Sequence, residues 1–136
     1  MSNPRMRAVA ALLTIPLLFT GCGGKPEVAT LPSPAERAAI DAAIRRGVHP
    51  RAGQHLAVLS VRIARSDAHF ASAAIEQRDA NGGKTSDIAV VVLMQAGGAW
   101  LIVLGPGTAF AEECTQATAK PVQDLMCPNP YAVLGV

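Results

Sequence analysis

Aromatic residues are scarce. Phe19, Phe70, Trp100, Phe110 and Tyr131 make up 4% of the 136 residues, too few for a platform on which bases or sugars stack. Strong charge of either sign is lacking too: twelve Lys and Arg stand against ten Asp and Glu, a formal charge of +2. Binding a phosphate backbone needs a basic footprint that this chain does not have, so nucleic acid is not an expected partner.

The motifs of common chemistries are missing as well. There is no Cys-x-x-Cys, no Gly-x-Ser-x-Gly and no Ser-x-x-Lys, and Gly105-Pro106-Gly107 lacks the Gly-Lys-Ser/Thr ending of a phosphate loop. His49 and His55 flank a loop containing Pro50 and Gly53, without the four-residue helical spacing or intervening Glu of a zinc protease. They read as surface or strand-end residues, and His69 as the start of a strand. Glu112 and Glu113 are adjacent, so on a strand they would point to opposite faces, which suits neither a glycosidase pair nor a metal cage. No catalytic residue, metal ligand or cofactor is expected, and the chain is read as non-enzymatic.

What is present begins with a segment of three parts. Arg5 and Arg7 form a basic start, Ala8 to Phe19 is an uncharged, mostly apolar run of twelve residues, and the small residues Thr20 and Gly21 precede Cys22. A membrane-spanning helix needs about 20 apolar residues, so this run fits the core of a signal peptide instead. Phe19-Thr20-Gly21-Cys22 resembles the bacterial lipobox, with Phe19 where that family usually carries Leu. The resemblance implies cleavage after Gly21, diacylglycerol on Cys22, and usually a third acyl chain on the new amine. Two or three chains give lasting anchorage where one is marginal. In a Gram-negative envelope, Gly23 after the cysteine implies the outer membrane.

Cleavage also removes two positive charges, 12 − 2 = 10 against 10, so the mature chain is neutral. The expected organisation is a signal peptide over 1–21, a lipidated flexible tether over 22–33 rich in glycine and proline, and a small domain over 34–136.

Ser33-Pro34-Ala35-Glu36 has the form of a capping box, and Pro34 suits the first helical position. The helix is predicted to run to Arg46, with Gly47 as its stop, an apolar stripe at Ile40 and Ile44, and a solvated face at Arg37, Asp41 and Arg45. Period-two alternation places Ala57, Leu59, Val61 and Ile63 on one face of a strand, with Ser60 and Arg62 on the other. A second strand spans His69 to Arg78, with Ala71, Ala73 and Ile75 on one face. Ile88–Met94 and Ala99–Leu104, joined around Gly97-Gly98, read as a hairpin. No charge occurs from Ile88 to Ala111, 24 residues, which is long enough to span a bilayer. The central glycines and the two strand-length blocks favour a sheet.

The fold class that follows is α+β: one N-terminal helix, with Trp100 in its core, on a four-stranded antiparallel meander, plus a short C-terminal segment. With its Gly98-Ala99-Trp100-Leu101-Ile102-Val103 strand leading to a cysteine loop, residues 34–127 resemble small secreted bacterial proteins of cystatin-like or NTF2-like helix-on-sheet design. The Gln-Val-Val-Ala-Gly loop of inhibitory cystatins is absent. With Cys22 acylated, Cys114 and Cys127 remain as a pair, and export favours a disulfide over redox or zinc chemistry. Between them, Pro121 opens a short helix with Val122, Leu125 and Met126 facing the sheet.

The function expected is a membrane-anchored envelope module that meets a protein partner; the alternative is a small-ligand binder using the concave side of the sheet. A binder should show an apolar pocket above roughly 300 Å³ with a few converging polar groups. A partner surface should show an apolar patch on an open sheet face. Ala71, Ala73 and Ala74 fit close helix packing, a groove or a partner surface equally well.

Overall fold

A single helix cap fixes where the first helix begins. In the computed structural model, which describes residues 27–116 and 118–136, the Ser33 hydroxyl accepts a hydrogen bond from the Glu36 amide at 3.1 Å. Pro34 fills the first turn, where a missing N–H costs nothing. Helix α1 runs Pro34–Gly47 and buries Ile40, Ala43 and Ile44.

The sheet has five strands: β1 (Ala29–Thr30), β2 (His55–Ala64), β3 (Phe70–Arg78), β4 (Ala89–Ala96) and β5 (Ala99–Gly107). They lie in sequence order and every neighbouring pair is antiparallel. This corrects the expected four. The added strand comes from residues read as tether, Ala29 pairing with Ala64 and Thr30 with Ile63. Two residue pairs are too short to carry a hydrophobic period. Beside them the Arg65 amide donates to the Val28 carbonyl at 2.9 Å.

Both sheet faces are covered. On one, α1 packs against Leu56, Val61, Ile63, Ala71, Ala73, Ile75, Val91, Leu93 and Trp100. On the other, Ala64, Ala74, Val90 and Val92 lie under Phe110, Leu125, Met126 and Leu134. The latter four belong to a C-terminal layer of short helices, α2 (Ala111–Thr115), α3 (Lys120–Met126) and α4 (Pro130–Leu134), with Phe110 immediately before the first. Beyond the expected α1 and the expected short helix at Pro121, α2 and α4 are additional, and Glu112 and Glu113 sit on α2 instead of a strand. The alanines of β3 serve close packing on both sides: Ala71 and Ala73 beneath α1, Ala74 beneath the C-terminal layer.

The alternation read for β2 breaks in the middle. A β-bulge between Val58 and Ser60 inserts Leu59 as an unpaired residue, and one inserted residue reverses the parity of everything before it. Val58, Val61 and Ile63 therefore share the α1 face, while Leu59 packs with the C-terminal layer.

The two sheet edges differ. Along Leu56–Val58, where β1 does not reach, the Arg45 guanidinium donates to the Leu56 carbonyl at 3.2 Å and that of Arg37 to the Val58 carbonyl at 3.0 Å. These arginines, read as part of a solvated face, instead occupy backbone acceptors that a foreign strand would need. Arg45 also pairs with Asp41 at 2.7 Å. On β5, Leu101 and Val103 are exposed. The uncharged stretch from Ile88 forms β4 and β5, and no helix among the described residues is long and apolar enough to cross a membrane.

Candidate functional site

Cys22, the Phe19-Thr20-Gly21 stretch before it and the signal-like segment all lie outside the described residues. The other two cysteines are joined: Cys114 and Cys127 form a disulfide with their Cα atoms 5.6 Å apart, tying α2 to the end of α3. In the same layer the Tyr131 hydroxyl sits 3.1 Å from the carbonyls of both Ile88 and Thr108, holding α4 to the start of β4 and the end of β5.

A cleft of about 800 Å³ opens beside this disulfide, between the β1 segment and α4. Val28, Ala29 and Leu31 form one wall; Cys127, Pro128, Ala132 and Val133 form the other. Leu31 on that wall is 71% exposed and offers an apolar surface to the cleft. The expected helix-on-sheet cavity is not where the cleft lies, because α1 packs on one sheet face and the C-terminal helices on the other.

Among the described residues, one cation lines the cleft. Arg62 projects from β2, and its Nη1 donates to the Ser60 hydroxyl at 2.8 Å and the Val61 carbonyl at 2.9 Å. Ser60 is itself pinned, donating to the Leu134 carbonyl at 2.5 Å. Among the described residues, Nε and Nη2 of Arg62 make no hydrogen bond. Nη2 lies against Gly135, where a Cβ would stand 3.3 Å from it; glycine also meets the φ of +73° there. Glu27, which also lines the cleft, is engaged with Arg65 at 3.0 Å, so Arg62 is the unbalanced charge among the described residues of the cleft.

Other polar groups are paired away from this site. Glu76 is buried and its Oε1 accepts from both Nε and Nη2 of Arg78 at 2.9 and 2.7 Å. The His69 amide, at 2.9 Å, and its ring, at 2.8 Å, hold the Asp67 carboxyl below its ordinary value. Burial pushes Asp124 upward, but the Lys120 ammonium at 3.0 Å and the Ser66 hydroxyl outweigh it, leaving that carboxyl below its ordinary value. His49 and His55 are exposed, and among the described residues no three of His, Cys, Asp and Glu come together as a metal-binding group.

Sequence reasoning placed Ser60 and Arg62 together on one strand face but gave them no role. The partner of Ser60, Leu134, lies 74 residues away, beyond any local pattern. Searches of protein-family models, curated proteins and solved structures return no match for this chain.

Proposed function

We propose that this chain is an exported bacterial lipoprotein, anchored by lipid on Cys22, whose folded domain is a non-enzymatic binding module at the membrane surface. The observation that carries this reading is the division of its cysteines. Cys114 and Cys127 are bridged, as suits an oxidising compartment, while Cys22 stands apart in the lipobox-like stretch. In a Gram-negative envelope the outer membrane is the expected site. The helix-on-sheet arrangement of α1 and β2–β5 is in keeping with a cystatin-like or NTF2-like design; β1 and the disulfide-tied helical layer are additions to it.

The test is the mass of the N-terminal peptide of protein extracted from bacterial envelopes. A diacylglycerol-modified Cys22 is the expected result, with Cys22→Ser protein released from membranes. An unmodified chain still beginning at Met1 would overturn the reading.

The cleft beside β1 favours small-ligand binding as the form this module takes, because its volume suits a ligand and helices cover both sheet faces. An envelope protein partner would have to engage a rim or an edge such as β5.

A further inference from the structure

We infer that the cleft between β1 and α4 binds a single-chain anionic amphiphile, its carboxylate or phosphate head on Arg62 and its alkyl chain along Val28, Leu31 and Val133. This rests on the small-ligand reading of the module and names the ligand class.

The apolar walls give up water to an alkyl chain, and about 800 Å³ accommodates a chain of a dozen carbons with its head. The head is specified by Arg62. Its Nη1 is fixed by Ser60 and Val61, and Ser60 is fixed by Leu134, so the guanidinium is oriented before any ligand arrives. Nε and Nη2 stay unbonded among the described residues, and a planar pair of N–H donors matches the two oxygens of a carboxylate or phosphate. Glu27 does not compete, being engaged with Arg65. The same argument disfavours the chain's own acyl groups as occupant, because a glyceride thioether carries no anion for Arg62 to meet.

Titrating the full-length Cys22→Ser protein with dodecanoate, dodecyl phosphate and dodecanol tests this by calorimetry. Both anions are expected to bind saturably at one site, at least about tenfold tighter than dodecanol. Acetate and inorganic phosphate, lacking a chain, should show no saturable binding. Comparing the two dodecyl anions tells a carboxylate preference from a phosphate preference. Arg62→Gln should remove the advantage of the anions and leave dodecanol binding unchanged. Should that variant fail to fold, Ala132→Trp, at an exposed position on the cleft wall, should abolish binding of all three with Arg62 intact. Equal affinity for dodecanol and dodecanoate, dodecanoate binding that survives Ala132→Trp, or no saturable binding at all would overturn the inference. None of these outcomes bears on lipidation of Cys22, which the peptide mass decides separately.

Discussion

The Ser60 hydroxyl donates to the Leu134 carbonyl at 2.5 Å, joining the middle of β2 to the last helix of the chain. The same oxygen accepts from Arg62, so one side chain both fastens α4 and orients the cleft's cation. Ser60→Ala is expected to cost about 1–2 kcal/mol, since it strands a buried acceptor and removes a bond to a charged group. Urea unfolding measures this, and an unchanged midpoint would show the Leu134 carbonyl satisfied otherwise.

Reducing the Cys114–Cys127 bridge should destabilise the domain by about 3 kcal/mol on chain-entropy grounds. The disulfide spans 13 residues and ties α2 to α3. Urea melts with and without reductant, repeated on the Cys114→Ser, Cys127→Ser double variant, give the value. Identical melts would mean that helix packing alone retains the layer.

Gly105 has φ of +81°, and a Cβ there would run into the Val90 carbonyl oxygen. It lies at the irregularity where β5 pairs Leu104 with Val92 and Gly107 with Val90. Gly105→Ala combines backbone strain with a steric clash and should cost at least about 2 kcal/mol. A thermal midpoint equal to the parent's would contradict this.

Ser72 is fully buried, and its hydroxyl has no hydrogen-bond partner among the described residues. Removing an unsatisfied polar atom relieves its desolvation cost, so Ser72→Ala should leave stability unchanged or raise it by up to about 1 kcal/mol. A clear loss in the urea melt would reveal a partner.

Asp124 gives the domain an acid limit. Its folded carboxyl titrates below the ordinary value, so the unfolded chain takes up its proton first as pH falls. The stability it brings is therefore complete above the unfolded value, about 3.9, and disappears as pH drops through the lower folded value. Asp67 shifts the same way, with its side chain more open to solvent than that of Asp124. Asp124→Asn should flatten the stability profile below about pH 4 and lower stability at pH 7. A profile as steep as the parent's would place the titration elsewhere.

Local signals located the elements well. Ser33-Pro34 marked the start of α1, Gly97-Gly98 the β4–β5 turn, and Pro121 the opening of α3. What escaped the sequence depended on distant pairing. Leu59 looks like one more inward residue until the bulge beside it shows otherwise. Ala29 and Thr30 look like linker because a two-residue strand is defined by its neighbour Ile63–Ala64, not by its own composition. The cleft was illegible for the same reason, its walls coming from opposite ends of the domain and its cation from the strand between.

β1 also sets how force enters the molecule. If the chain hangs from lipid at Cys22, tension meets, first among the described residues, the Glu27–Arg65 pair and the two residue pairs of β1. Those two residue pairs are the shortest pairing in the sheet, and β1 forms one wall of the cleft. Pulling the domain away from its membrane would peel that wall and lift Ala29 from its packing against the C-terminal layer, so occupancy of the cleft would report how tightly the molecule is being drawn.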